Sequence, residues 1–371
     1  MKEFMQNHPL FRDFPVKGYK VVWQIYQNNQ LQGVIRLLHP LMAIIGIIVV
    51  IATAIGIGIS CLIFAGIDSL DNVSGRLNIF FSLWASTAVG IVIIIMMAQW
   101  ILRAPVREQQ RYYHQGNLTQ LDERKRLALR LDIVATYGYG FWIETLEHYP
   151  LTARLKQPAE TFPLLEPSSP QAHREGLYND WGIVDIDGYQ SIVEKLWAGM
   201  HSRHFFVNMH QENNGSMVTT LAALIELPKD YVQSCAISGK DGRPPALVWA
   251  FDLWRVIKLS RNCFCAGIIS ERLAWDNILK TADMIYELFD SFDSYYNNYR
   301  LGHAFWSNDY SMIKDRLEQY NNYKAHCDWP ITLLPWPTPP GISLSDDMRH
   351  GFMKSSDLAL SSSVINKTVI M

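Results

Sequence analysis

The sequence predicts a mainly α protein: an N-terminal two-helix transmembrane hairpin followed by a predominantly helical cytoplasmic domain with at most a small β element. Two observations carry this expectation. Two long runs near the N-terminus hold no charged residue, and apolar side chains in the second half recur at helical spacing.

The first run lies between Arg36 and Asp68, the second between Arg76 and Arg103. A bilayer core takes about 20 apolar helical residues, and both runs reach that length. The predicted spans cover about 41–66 and 78–102 within a hairpin of 38–102, preceded by a juxtamembrane segment, 1–37. The first run starts too far into the chain for the apolar core of a cleaved signal peptide. Ala52, Gly56 and Ser60 recur every fourth residue, as do Ser82, Ser86 and Gly90. Small residues at that spacing let helices approach closely, either within the hairpin or in a homodimer.

Lys17, Lys20 and Arg36 precede the spans, and Arg103, Arg107 and Arg111 follow them, whereas Arg76 is the one basic residue of the connecting loop. The positive-inside rule therefore puts both termini in the cytoplasm of a multi-pass protein of the bacterial inner membrane.

The chain continues as a helical connector (103–149), a proline-rich linker (150–175), a helical domain (176–325) and a proline- and serine-rich tail (326–371). In the domain, Asp185 or Asp187 caps a helix with Ile192, Val193, Leu196 and Trp197 on one face, and Gly199 is placed to end it. "MVTTLAALIEL" is too short to separate strand from helix. Leu247, Phe251, Trp254 and Leu259 give a broad apolar helix face, and Ser270 caps a helix striped from Trp275 to Phe289. An aromatic helix ends near Trp306, and Trp329 and Trp336 are expected to cover part of the domain.

A net charge of −2 gives no basic field for nucleic acid. The odd set of five cysteines, with no CxxC, excludes a disulfide scaffold. His201 and His204 share helical spacing but lack the acidic residue of an HExxH site, so no metal is assigned. No P-loop, GxSxG or paired-carboxylate signature occurs, and no cofactor is expected.

Three stretches, "WGIVDIDGYQSIVEKLWAGMHS", "AFDLWRVIKLSRNCFCAGIISERLAWDNIL" and "FDSFDSYYNNYRLGHAFW", form a recurring pattern. Over residues 176–310 the chain resembles the bacterial domain-of-unknown-function family number twelve sixty-six. Matching positions are Trp181, Gly182, Ile183, Gly199 and His201; Asp252, Arg255, Gly267, Glu271, Ala274 and Trp275; and Leu301, Gly302, Phe305 and Trp306. Phe251 and His303 stand where the family tends to have Trp and Arg. The resemblance implies a helical fold and no activity.

Asp252 and Arg255, three apart on a helix, are close enough to pair with each other or with neighbouring motifs. A buried charge needs a partner, so an internal network with Arg300 or His303 is the first expectation. Trp181, Asp252, Arg255, Arg300 and His303 are the candidate binding site; Asp252, Arg255, Glu271, His201 and His303 are the candidate catalytic groups. The functional expectation is a membrane-tethered interaction module that binds a protein, such as a toxin or secretion-system component, as an immunity or adaptor protein. The alternatives are a membrane-associated enzyme built around Asp252 and Arg255, and an effector that inserts its hairpin into a membrane.

Overall fold

The computed structural model describes residues 104–119, 121–139, 145–148, 150–156, 168–211, 213–237, 239, 242–307, 309–327, 330–338, 341 and 343–352, with helical residues 44–49, 51, 55–56, 84, 88–93 and 95–96. The chain divides into two compact units, residues 1–118 with 154–167 and residues 119–153 with 168–371.

In the first unit, α1 spans Ala104–Gln115. The described residues of the two charge-free runs are helical, and Ile47, Ile51, Ile55, Trp84, Ile91 and Met96 are all exposed. Most of both predicted spans, and the loop between them, lie outside the described residues. Among the described residues no helix is long and apolar enough to cross a membrane.

The second unit is helical: α2 (Glu123–Arg130), α3 (Ile133–Tyr139), α4 (Pro170–Trp181), α5 (Ile186–Trp197), α6 (Met200–Met209), α7 (Gly215–Ile225), α8 (Lys229–Ile237), α9 (Trp249–Cys265), α10 (Glu271–Leu288), α11 (Phe292–Trp306), α12 (Tyr310–His326) and α13 (Asp346–His350). Among the described residues the β content is one isolated parallel bridge, Leu151 to Ser168. The undecided segment "MVTTLAALIEL" lies largely within α7.

Local signals account for most helix starts. Asp185, rather than Asp187, accepts from the Gly188 amide and opens α5. Ser270 caps α10, and Ser291 makes a capping box with Ser294 at α11. Ser169 caps α4, with Pro170 as first helical residue, so a helix begins inside the proline-rich stretch.

Helix α9 is the axis of the unit. It packs against α4, α5, α6, α10 and α11, and most of its length is buried. Leu247, Phe251, Trp254 and Leu259 enter the core as the apolar periodicity predicts. Two further pieces join this core. Buried Arg261 on α9 donates to Asp132 at 2.8 Å and to the carbonyls of Leu146 and Thr145, and Trp254 donates to Asp132 at 2.8 Å. That ties residues 119–153 to the axis. From the C-terminal side, Trp336 donates to the Phe289 carbonyl, while Met348 and Phe352 are buried. Trp329 lies outside the described residues.

Candidate functional site

Helices α6 and α9 both start without a side-chain cap of their own. Neither Gly199 before α6 nor Val248 before α9 makes a side-chain cap bond. The first four amides of a helix need acceptors, and here they come from elsewhere in the fold. Asn298 on α11 accepts from the Ala250 amide at 3.0 Å and donates to the Leu247 carbonyl at 2.7 Å. Asp252, one turn into α9, serves α6. Its Oδ1 accepts from the His201 amide at 3.0 Å and its Oδ2 from the Ser202 amide at 2.9 Å. A carboxylate at this end of a helix is also favoured by the helix dipole.

Gly199 makes that approach possible. Its φ of +78° is left-handed, and an added Cβ would lie 2.5 Å from the Trp249 ring. The chain therefore turns from α5 into α6 tightly against the start of α9, which brings the amides of residues 201 and 202 onto Asp252.

The same carboxylate takes two side-chain donors, the Ser202 hydroxyl at 2.8 Å and His201 Nδ1 at 2.5 Å. Arg255 lies 3.1 Å from His201 Nε2. A guanidinium only donates, so Nε2 is the acceptor and Nδ1 carries the proton. The result is a directional chain, Arg255 to His201 to Asp252, with Asp252 and His201 fully buried. Asp252 and Arg255 do not pair directly: His201 stands between them. Phe251 and Trp306 meet the imidazole edge-to-face, with centroids 5.0 Å and 4.4 Å away.

Beyond His201, the Arg255 guanidinium lies over the Phe251 ring at 4.0 Å and near Trp181 at 5.2 Å. Burial lowers its pKa to about 10, opposed by the charge of Asp252 and by Tyr299. Arg255 also lines a cavity of about 400 Å³ between α4, α9, α11 and α12. Its walls include Trp181, Phe251, Trp254 and Tyr299, and its polar groups include His173, Asp180, Lys258, His303 and Arg316.

His303 is 8% exposed, and its Nδ1 has no hydrogen-bond partner among the described residues. Burial, with Arg316 and Arg255 adding to it, lowers its pKa to about 4, so the ring is uncharged at neutral pH. Burial likewise lowers the Lys258 ammonium; Arg316 and Arg255 act in the same direction, while Asp132 and Asp180 oppose them.

Of the residues singled out from the sequence, Trp181, Arg255 and His303 line this cavity, and His201 and Asp252 stand behind Arg255. Arg300 is directed elsewhere: it donates to the Ile225 carbonyl at the end of α7 and to Asn297. Glu271 is exposed in the first turn of α10. Lys258, Arg316, His173 and Asp180 were not singled out. The signal for Lys258 was present, since a lysine one turn after Arg255 shares its face. No group of residues arranged to hold a metal ion occurs among the described residues.

Residues 176–336 match the family model described as protein of unknown function (DUF1266), which runs beyond the 176–310 resemblance. The chain is 26% identical over 356 residues to the inner membrane protein YnjI of Escherichia coli (strain K12), covering 90% of this chain and 97% of that protein. No solved structure matches.

Proposed function

We propose that this chain is a multi-pass inner-membrane protein whose helical domain is a cytoplasmic interaction module rather than an enzyme. The observation that carries the second half is the state of its acid–base groups. Asp252 receives four donors, and both nitrogens of His201 are engaged. General acid–base work needs a group that can reach a substrate proton, and these two are fully buried.

The membrane half is supported by the two charge-free runs, by the exposed apolar side chains of their described residues and by the likeness to an inner membrane protein. That likeness covers 90% of the chain, so it extends well outside the segment 176–336. The basic flanks support cytoplasmic termini.

The partner class is a protein, and its contact surface is the turn from α11 to α12. Trp306, Tyr310 and Met312 are 51%, 63% and 46% exposed there, and large exposed aromatics are the side chains that anchor protein interfaces. A photo-crosslinking amino acid at position 310 of the full-length protein in growing cells tests this reading. A discrete adduct with another protein, weakened by Trp306→Ala, is expected. Absence of any protein adduct from positions 306, 310 and 312 would sink it.

A further inference from the structure

The cavity beside Arg255 raises a question that the interaction surface does not answer. Arg255 and Lys258 both reach it from α9, yet neither has a carboxylate within ion-pair distance among the described residues. Arg255 uses one donor on His201, and no other hydrogen bond of its guanidinium occurs among the described residues. The Lys258 ammonium makes no hydrogen bond there and only faces the Trp254 ring, at 5.0 Å. Even half-buried cations such as these are ordinarily paired.

Arg316 adds a third positive charge from α12, partly engaged by Gln319 at 2.8 Å, and Asp180 supplies the one carboxylate of the lining. The lining thus carries more positive than negative charge, with Arg255 and Lys258 its two cations that have no carboxylate in reach among the described residues. His303 is an independent sign of a missing partner. It is buried, it lines the same space and its Nδ1 has no hydrogen-bond partner among the described residues.

We propose that this cavity is a binding site for a small phosphate monoester carrying a planar ring, of nucleoside-monophosphate size. The phosphate meets Arg255 and Lys258, and the ring lies along the aromatic wall that includes Trp181. Charge selects the phosphate: a monoester carries about −1.5 to −2 near pH 7 and can meet both Arg255 and Lys258, whereas a carboxylate carries a single charge. Arg255 is held ready for it, because His201 and the Phe251 ring fix the plane of the guanidinium before a ligand arrives. The aromatic wall selects the ring, and about 400 Å³ falls within the usual range for small-molecule sites. His303 is uncharged at neutral pH and supplies a directional hydrogen bond rather than another cation. The site goes beyond the protein-interaction reading and does not require it.

Calorimetric titration of the detergent-purified full chain with the four common nucleoside 5′-monophosphates tests the site. Inorganic phosphate and adenosine form separate arms. Saturable binding of at least one monophosphate is expected, with inorganic phosphate at least tenfold weaker and adenosine weaker still. Lys258→Met should weaken that binding at least tenfold while leaving the melting temperature unchanged or higher, because it removes a half-buried, unpaired charge at nearly constant volume. No binding of any of the four overturns the proposal. So does binding that Lys258→Met leaves intact, or inorganic phosphate binding as tightly as the nucleotide. A crosslinked protein partner in the absence of nucleotide binding leaves the interaction module standing and removes this site alone.

Discussion

Asp252 looks, beside a histidine and an arginine, like half of a catalytic pair, and its geometry makes it a helix cap delivered from a neighbouring helix. Asp252→Ala removes the acceptor of two buried amides, a hydroxyl and an imidazole N–H. Charge-assisted bonds of this kind make the loss on the order of 3 kcal/mol or more. Thermal denaturation monitored by circular dichroism should show a clearly lowered midpoint; an unchanged midpoint would remove the capping role. A second expectation concerns acid. His148 and His303 both have lowered pKa values, the first through desolvation and Arg261, the second through burial, Arg316 and Arg255. Unfolded, each binds a proton near pH 6.5; folded, His303 does so only near pH 4. The unfolded state therefore holds more protons between those values, and stability falls as pH drops through that window. His303→Asn should flatten this dependence; an equally steep profile would exclude His303 as a contributor.

At the scale of elements, the order of helices was largely legible, because their caps and apolar stripes are local. Ser270 announces α10 within four residues of sequence. The start of α4 was less legible, since Pro170 reads as a linker residue until it is seen as the first residue of a helix. Helices α6 and α9 could not announce their caps at all, because the capping groups sit on other helices. How closely α9 and α11 approach is set by Gly302. A Cβ there would lie 2.3 Å from Phe251 Cβ and 3.2 Å from Val248 Cβ. Gly302→Ala should force the two helices apart and cost about 1–3 kcal/mol, the usual range for overpacking. Because Phe251 carries the Arg255 guanidinium, the same change should disturb the cavity wall; a variant as stable as the parent would show that the helices separate freely.

For the whole molecule, the expectation rests on the hairpin. With Asn72→Cys in the loop between the predicted spans, a membrane-impermeant maleimide should label that thiol in intact spheroplasts. A fluorescent protein fused at the C-terminus should fluoresce in the cytoplasm. Labelling only after the membrane is opened would invert the orientation. The internal tie from Arg261 to Asp132 belongs to this scale too. It joins residues 119–153 to the axis helix across a sequence separation of 129, and no periodicity within either segment signals that they meet.

By itself the sequence determined the helical class, the two apolar runs, the caps of α5 and α10 (the first only to within Asp185 or Asp187) and the resemblance over residues 176–310. All of these depend on residues within one or a few turns of each other, where spacing and hydropathy fix the outcome. Only the tertiary structure decided what Asp252 and Arg255 are for. Their intermediary, His201, lies 51 residues from Asp252 in the chain, and the cavity that Arg255 enters is assembled from four helices. Hydrogen bonds have direction and charges act through space. Which donor meets which acceptor is therefore set by how the helices pack, and the pattern along any one of them does not contain it.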